Sequence, residues 1–294
     1  MLVHLNKDEA APKRVVVIGA QGFVGGAVME ALATSGIASK GLGRADVDLL
    51  SADAARKIAD TIEHGDAVVA VSAIAPAKNL DNVIDNMRIA RAIADAVVAR
   101  GDDVSHFVNI SSDAVYADTP TPLNETSATA PESYHGIMHL AREVHFKTVM
   151  QTPLAILRPT LIYGAADPHN GYGPNKFRRQ AAAGEEIVLF GEGEELRDHV
   201  LVDDVAEVVR LTLMHRSAGL LNVASGHVTS FREVAEKVVA LFDMPVAIEG
   251  SSRTGPMPHN GYRPFEVSAT SRAFPTFRYT PLADGLRQVH AATG

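Results

Sequence analysis

The chain of 294 residues carries 27 Lys and Arg against 35 Asp and Glu, a formal net charge of −8, with 12 His and no Cys or Trp. The absence of Cys excludes disulfides, thiolate nucleophiles and Cys-ligated zinc or iron–sulfur sites. The acidic balance disfavours binding of nucleic acid by bulk charge, and no apolar run approaches the roughly 20 residues of a membrane-spanning helix. Lys7, Asp8 and Glu9 interrupt any apolar signal core, so we expect a soluble, cytoplasmic protein.

Short apolar runs alternate with helical patterns through the first half of the chain. Such runs are typical of buried parallel strands, and the helices between them supply the crossovers. We therefore predict an α/β fold with a doubly wound parallel sheet. In chain order the predicted elements are a strand at residues 14–18, a helix at 24–33, a strand at 37–42, a helix at 52–63, a strand at 67–74, a helix at 83–99 and a strand at 107–110.

A glycine-rich turn, Gly-Ala-Gln-Gly-Phe-Val-Gly at residues 19–25, joins the first strand to the first helix. The three glycines suit a tight turn, a close approach of a pyrophosphate and close helix–strand packing, and the helix N-terminus favours phosphate. The Gly-x-x-Gly-x-x-Gly spacing resembles the short-chain dehydrogenase/reductase superfamily. A turn without a ligand is the alternative. The predicted dinucleotide-binding residues here are Gly19, Gln21, Gly22, Phe23, Val24 and Gly25.

The end of the second predicted strand bears on which dinucleotide binds. It reads Leu-Gly-Arg at residues 42–44, so Arg44 stands where an acid would otherwise meet a ribose diol. Arg beside a small residue accommodates a 2′-phosphate, which favours NADP over NAD. Alternatively, Arg44 is a solvated loop residue and Asp46 or Asp48 contacts ribose or adenine. The remaining predicted cofactor contacts are Asp48, Leu49, Ser72 and Ala73.

The strand at 107–110 continues into Ser111-Ser112-Asp113-Ala114-Val115-Tyr116, which delivers polar groups to its carboxyl end. This stretch resembles the extended short-chain dehydrogenase/reductases, the NAD-dependent epimerase/dehydratase family. The resemblance implies that Ser112 hydrogen-bonds the reacting sugar oxygen and that Asp113 is the acidic residue of the 4,6-dehydratases. Their next position is usually Glu, and Ala114 stands there, which weakens a dehydratase interpretation.

The family's Tyr-x-x-x-Lys helix is altered in this chain, which reads Ser-Tyr-His-Gly-Ile-Met-His-Leu-Ala-Arg-Glu at residues 133–143. If Tyr134 is the catalytic Tyr, its partner is the uncharged Met138. The positions of Gly136, Leu140 and Glu143 instead align the two catalytic positions with His135 and His139, four residues apart on one helical face. We favour this second register, in which His135 exchanges a proton near neutral pH. The predicted catalytic residues are Ser112, Asp113, Tyr134, His135 and His139.

The second half is more irregular, and Gly171, Gly173 and Pro174 interrupt it. We assign residues 1–165 to a dinucleotide-binding Rossmann domain, to which later segments return, and 166–294 mainly to a smaller substrate-binding lobe. Predicted elements are helices at 136–150, 176–183, 205–214 and 231–242, strands at 155–157, 186–190 and 219–223, and a tail at 250–263 rich in Gly, Pro and Ser.

The resemblance extends over residues 14 to about 290, and it implies that Asn175, Arg197 and Arg263 meet the nucleotide or diphosphate of the substrate. His135, His139 and Glu143 recur at helical spacing, but the His-Glu-x-x-His pattern of zinc proteases is missing, so we expect no metal.

The function implied is an NAD(P)-dependent oxidoreductase of a nucleotide-linked sugar, foremost a ketosugar reductase using NADP. A nucleotide-sugar 4-epimerase and a non-catalytic dinucleotide-binding regulator are the alternatives. The family also suggests a homodimer through the helices at 83–99 and 135–150. Ile89, Ile93 and Val97 form an apolar stripe on the first of these helices, which could equally pack on the sheet.

Overall fold

A parallel sheet of six strands forms the centre of the protein in a computed structural model that describes residues 1–293. Its strand order is β2-β1-β3-β4-β5-β9, and every neighbouring pair runs parallel. The predicted α/β class with a Rossmann-like, doubly wound sheet is confirmed. The strands of all the sheets in the described residues are β1 (Val15–Ile18), β2 (Ser39–Leu42), β3 (Asp66–Ala70), β4 (Val104–Ile110), β5 (Leu154–Pro159), β6 (Leu161–Tyr163), β7 (Ile187–Phe190), β8 (Leu196–Leu201), β9 (Gly219–Val223), β10 (Val228–Ser230), β11 (Ile248–Ser251) and β12 (Tyr262–Arg263).

Helices cover both faces of this sheet. The α-helices of residues 1–293, including those of the smaller cluster described below, are α1 (Phe23–Thr34), α2 (Ala54–Thr61), α3 (Leu80–Arg100), α4 (Tyr134–Val149), α5 (Pro174–Ala182), α6 (Val202–Met214), α7 (Phe231–Val239), α8 (Ser268–Ala273) and α9 (Leu282–Ala291). Side chains of β1 alternate between the faces: Val15 and Val17 pack with α1 and α6, whereas Val16 and Ile18 pack with α2 and α3. Because both faces are covered, the strand is apolar at every position.

The apolar stripe of α3 packs inward. Ile89, Ile93 and Val97 are all buried in the core cluster that includes Val16 and Ile18. Of the two interpretations of this stripe, packing on the sheet is therefore the one observed. The helix is longer than predicted, because the Asn79 side chain accepts a hydrogen bond from Asn82 N–H and caps its start.

Two differences from the predicted elements shape the cleft. The strand expected at 67–74 ends at Ala70, because the Asn86 side chain bonds both backbone groups of Ile74 and holds the following segment as a loop. The segment beginning Leu196-Arg197, for which no strand was predicted, forms β8. It pairs with β6, β10 and β12 in a second sheet that is joined from four distant segments.

The second sheet and the pair β7–β11 belong with helices α5, α7 and α9 to a smaller cluster. Phe177, Leu189 and Phe231 lie at its centre and are almost fully buried. Strand β9 and helix α6 come from the same half of the chain but join the main sheet. Among residues 1–293, no helix combines the length and apolar character needed to cross a membrane.

Candidate active site

The glycine turn has the geometry that its sequence predicts. Gly19 has φ +99°, and a Cβ added to it would lie 2.7 Å from Ser72 Oγ. A Cβ on Gly25 would overlap the carbonyl oxygen of Gly19, so only glycine lets α1 approach β1 this closely. Gly22 is the N-cap of α1 and supplies no capping side chain, which leaves the first N–H groups of the helix free for an anion.

A cavity of about 510 Å³ opens beside this turn at the carboxyl ends of β1, β2 and β3. Eight of the predicted cofactor residues line it: Gly19, Gln21, Gly22, Arg44, Asp48, Leu49, Ser72 and Ala73. Gly25 does not line it, since its role is the close contact with the turn. We refer to this space as the turn cavity.

Arg44 is exposed at the rim of the turn cavity, and within residues 1–293 no carboxylate lies within 4.0 Å of its guanidinium. The nearby acids are bonded to their own loop. Asp46 accepts a hydrogen bond from Gly43 N–H at 2.8 Å, and Asp48 accepts one from Leu50 N–H at 3.0 Å. The rim of this cavity therefore presents one unpaired cation and acids that are already engaged.

A second cavity of about 690 Å³ continues from the first, and we call it the catalytic cavity. Val71 and Ala73 line both spaces, so the two form one cleft. Phe23 and Val24, predicted as cofactor contacts, line this second space. The same cavity is lined by five further residues that the sequence predicts as catalytic or substrate-binding: Ser112, Asp113, His135, His139 and Arg197.

Ser112 and Asp113 follow β4 and differ in their freedom. Ser112 Oγ accepts a hydrogen bond from Ala114 N–H at 3.1 Å and donates a long one to Asp113 Oδ1 at 3.4 Å. Because the bond to Asp113 is long, a ligand oxygen at normal hydrogen-bond distance can replace it as the acceptor. Asp113 is held by Arg263, whose Nε donates to Oδ2 at 3.0 Å, and an Arg197 nitrogen lies 3.8 Å from the same oxygen. Asp113 is thus engaged as an anion between two arginines.

Helix α4 presents His135 and His139, and not Tyr134, to the catalytic cavity. Ser133 caps the helix by accepting from Gly136 N–H at 3.1 Å, and a Cβ on Gly136 would overlap the carbonyl oxygen of Ala114. Glycine therefore brings the helix start against the loop after β4. The rings of His135 and His139 lie 4.7 Å apart and edge to face. Tyr134 is 47% exposed and is not among the residues that line the cavity.

Both histidines favour the neutral form. Burial lowers the pKa of His135, and the charge of Asp113 offsets this in part. Burial lowers the pKa of His139 further, and His135 and Arg142 act in the same direction. The Nδ1 atoms of both rings are buried without a hydrogen-bond partner among the described residues. Each ring therefore has one nitrogen that is buried and makes no hydrogen bond to the described residues.

A buried ion pair supports the helix from behind. Arg158 donates from Nε to Glu143 Oε1 at 2.8 Å and from its terminal nitrogen to Oε2 at 2.6 Å, and Ser111 Oγ donates to Oε1 at 2.6 Å. Burial alone would raise the pKa of Glu143, but the bonds and charge of Arg158 outweigh it and lower the pKa. The guanidinium of Arg158 also lies 4.7 Å from the ring centre of Tyr116. The pair fixes α4 on β4 and β5.

All three residues expected at the substrate have partners within the chain, and Arg197 donates to Glu195 at 3.1 Å. Asn175 accepts from Gly164 N–H and donates to Asp167 at 2.8 Å, and Arg263 donates to Asp113 and Asp118. Both side chains are buried, and neither lines the catalytic cavity. In this structure the donors of Asn175 and Arg263 are engaged by acids of the chain, and their expected contacts with the substrate stay predictions. Arg197 does line the cavity.

Several polar residues that line the catalytic cavity were not predicted from the sequence. They are Asp118, Glu132, His169 and His259. His259 lies in the Gly- and Pro-rich tail, and its Nδ1 is 2.6 Å from Asp118 Oδ1. Burial and the charges of Arg197 and Arg263 lower the pKa of His259. Within residues 1–293, no group of three or more His, Asp or Glu side chains could hold a metal ion.

Known proteins share both the sequence pattern and the fold. A model of the protein family described as "NAD dependent epimerase/dehydratase family" matches residues 15–224. The solved UDP-N-acetylglucosamine 4-epimerase of Bacillus cereus superposes with a TM-score of 0.81 at 22% identity, covering 95% of this chain and 96% of that one. A GDP-L-fucose synthetase of Naegleria fowleri bound to NADP gives 0.85 at 16% identity, over 98% and 96%.

A third solved structure is the UDP-glucose 4-epimerase of Thermus thermophilus in complex with NAD. It superposes with a TM-score of 0.78 at 21% identity, covering 95% of this chain and 98% of that one. At these identities the likeness establishes the shared fold along nearly the whole chain.

Proposed function

Because the chain belongs to the NAD-dependent epimerase/dehydratase family of enzymes, we propose that it is an NADP(H)-dependent reductase of a nucleotide-linked ketosugar. The observation that carries this proposal is the shared cleft. The catalytic cavity, lined by Ser112, His135 and His139, continues directly into the cavity beside the glycine turn. Proton-transfer groups therefore stand at the end of a groove shaped for a dinucleotide.

The residues present fit such a cofactor. The glycine cradle would be filled by a Cβ at Gly19 or Gly25, and the free N-terminus of α1 suits a pyrophosphate. Arg44, with no acid beside it in residues 1–293, supports binding of a 2′-phosphate at the rim, and hence NADP over NAD. Phe23 and Val24 extend the apolar wall toward the catalytic cavity.

The chemistry divides between cofactor and chain. When bound, the reduced nicotinamide supplies a hydride to the carbonyl carbon of the sugar. The Ser112 hydroxyl donates a hydrogen bond to the carbonyl oxygen, and protonated His135 transfers its proton to that oxygen. The ketone becomes an alcohol, and His135 is left neutral. The ring of His139 lies against that of His135 and lines the same cavity, so we assign it the positioning of the His135 ring.

The lowered pKa of His135 determines the expected pH dependence of this step. Its protonated form is scarce above the ordinary value of 6.5, because burial disfavours the charge. The reductive rate should therefore fall as the pH rises through the pKa of His135, in a range below 6.5. The oxidative direction, which needs the neutral ring as a base, should have the opposite dependence.

The polar residues of the catalytic cavity suit a ligand that combines an anionic group with sugar hydroxyls. Arg197 lines the cavity beside His169 and His259, and we assign the diphosphate of a nucleotide sugar to this side of the cavity. Glu132 and Asp118 supply acceptors for sugar hydroxyls. The lobe formed mainly after residue 166 then acts as the substrate-binding lobe.

A homodimer is also part of this proposal. Ile84 and Val98 on α3 and Ile137 and Val144 on α4 are each 43 to 55% exposed. The two helices pack side by side, so these outward apolar residues suit pairing with the same helices of a second copy. Light scattering behind size exclusion should give twice the mass of the chain, and charged substitutions at Ile84 and Val144 together should give the monomer.

A 4-epimerase is the second candidate, and one observation favours it. His135 is neutral at ordinary pH, which is the form needed to accept a proton from a sugar hydroxyl in an oxidative half-reaction. An epimerase returns the hydride to the same substrate, so it needs no net supply of reduced cofactor.

The deciding experiment offers the enzyme NADPH or NADH with a panel of nucleotide-linked 4-ketosugars and follows the nicotinamide absorbance. A reductase consumes the reduced cofactor in proportion to the sugar. Interconversion of UDP-hexoses with bound NAD, without net consumption, would identify the epimerase. Tight dinucleotide binding with neither activity would contradict both and identify a non-catalytic binding protein.

A further inference from the structure

One buried arginine lacks the partner that its counterparts have. Arg142, Arg158 and Arg263 are each at most 3% exposed. Arg158 pairs with Glu143, and Arg263 pairs with Asp113 and Asp118. Within residues 1–293, Arg142 has no carboxylate within 4.0 Å, and its Nε and one terminal nitrogen are buried without any hydrogen-bond partner.

The position of Arg142 relates it to the cleft. It lies on α4 one turn after His139, and its other terminal nitrogen donates to the carbonyl oxygen of Ser72 at 2.7 Å. Ser72 forms part of the wall of the turn cavity and touches the glycine turn, since a Cβ on Gly19 would meet its side chain. The guanidinium therefore stands directly behind the wall where the turn cavity meets the catalytic cavity.

An uncompensated charge at such a place is unfavourable in the free protein. A buried cation loses hydration, and each unpaired N–H adds a further cost. Burial lowers the pKa of Arg142 to about 10, which still leaves it protonated at neutral pH. The titratable neighbours His135 and His139 cannot offset the charge, because a histidine is neutral or cationic and never anionic. The missing partner is an anion, and no described residue supplies it.

We propose that Arg142 supplies a fixed positive charge for the pyrophosphate of the bound dinucleotide, acting through the wall at Ser72. It is a positioning residue, because its guanidinium does not line the cavity. The inference rests on dinucleotide binding, which the proposed function requires, but it does not depend on the identity of the sugar. In the low-dielectric interior such a charge is felt over several ångströms and is little screened by salt.

The test measures binding and stability of the whole protein without turnover. Arg142→Met keeps the shape and removes the charge, Arg142→Lys keeps the charge, and Arg91→Met removes an equal charge from an exposed site on α3. Dissociation constants are measured for NADP, NAD and ADP-ribose, which retains the pyrophosphate but lacks nicotinamide. Thermal unfolding of each ligand-free variant is recorded beside them.

Arg142→Met should weaken all three ligands about 10-fold, at low salt and at high salt alike, and the melting temperature without ligand should stay level or rise. Arg142→Lys should restore most of the affinity, and Arg91→Met should change nothing. Wild-type affinity for ADP-ribose in Arg142→Met would overturn the inference, as would a loss of affinity in Arg142→Lys equal to that in Arg142→Met. If the wild-type protein binds no dinucleotide, the proposed function itself fails, which is a separate outcome.

Discussion

The two halves of the cleft are built on different principles. The turn cavity is formed by backbone: a tight glycine turn, the start of α1 and the ends of three parallel strands. The catalytic cavity is formed by side chains that come from distant parts of the chain, such as His135, Arg197 and His259. The first half needs particular residues only where a Cβ would not fit. The second depends on the identity of nearly every polar group.

This difference explains where the chain departs from its family. Backbone geometry at the glycine turn keeps the usual pattern, whereas the register that we propose for α4 aligns His135 and His139 with the Tyr and Lys that the family resemblance implies. Replacing a side chain in a cavity leaves the fold intact, but it changes which groups are charged. Arg142 and Glu143, which are adjacent on α4, show two outcomes for a buried charge: Glu143 pairs with Arg158 of β5, whereas Arg142 has no carboxylate partner within residues 1–293.

Breaking the ion pair below the catalytic cavity should have the largest effect on stability. Arg158→Met removes the buried partner of Glu143 and leaves this carboxylate with only Ser111 and the half-exposed Lys147. The free energy of unfolding should therefore fall by about 3 kcal/mol, measured by urea unfolding. The control is Arg56→Met, which breaks exposed pairs with Asp53 and Asp60 and should cost less than about 1 kcal/mol. Equal losses in the two variants would contradict the account.

Acidification should destabilise the protein through histidines that are buried in the neutral form. Burial lowers the pKa of His106 to about 4 from an ordinary 6.5, so the unfolded chain binds more protons than the folded one between these values. Stability present above pH 6.5 is lost as the pH falls, with about 2 kcal/mol lost at pH 5 from this residue. His106→Gln should remove that part of the slope in urea unfolding at pH 7 and pH 5. An unchanged slope would exclude His106 as a source.

Two adjacent glycines sharpen the role of backbone in the turn cavity. Gly25→Ala forces a methyl group into the carbonyl oxygen of Gly19, which should cost about 1 to 3 kcal/mol of stability and weaken dinucleotide binding. Gly26→Ala meets only Ala20 O at 3.8 Å and should stabilise α1 by about 0.5 to 1 kcal/mol. Thermal unfolding and dinucleotide titration measure both. If Gly25→Ala binds as tightly as Gly26→Ala, the close-contact explanation fails.

The smallest expected effect is at the rim. Arg44→Ala should lower the affinity for NADP about 10-fold and leave that for NAD unchanged, because only the 2′-phosphate gains from the guanidinium. Lys40→Ala removes the same charge from the neighbouring exposed part of β2 and should not alter the ratio of the two affinities. A parallel loss for NAD and NADP in Arg44→Ala would show that the residue does not discriminate.

Patterns local in sequence were sufficient to predict the sheet, the helices around it and the glycine turn. Apolar runs predicted β1 and β4, and the four-residue spacing of His135 and His139 predicted that they share a helical face. Contacts between distant segments could not be predicted. Arg263 lies 150 residues from Asp113 in the sequence, and no local pattern indicates that the guanidinium of Arg263 donates to the carboxylate of Asp113.

The same limit applies to the lining of the catalytic cavity. His259 reaches Asp118 across 141 residues, and β8 is paired with strands whose own sequences are only two to three residues long. Such short strands are stabilised by their neighbours and carry almost no periodic signal of their own. Burial likewise determines the charge state of His139, and burial follows from the assembled fold.

The most direct test of the account asks which side chain of α4 transfers the proton. Reductive turnover of the ketosugar is compared in the wild type, His135→Ala and Tyr134→Phe, with the substrate and NADPH saturating. If His135 transfers the proton, kcat should fall by about 10²- to 10⁴-fold in His135→Ala and change within about 3-fold in Tyr134→Phe. Loss of turnover in Tyr134→Phe together with retained turnover in His135→Ala would contradict this role of His135.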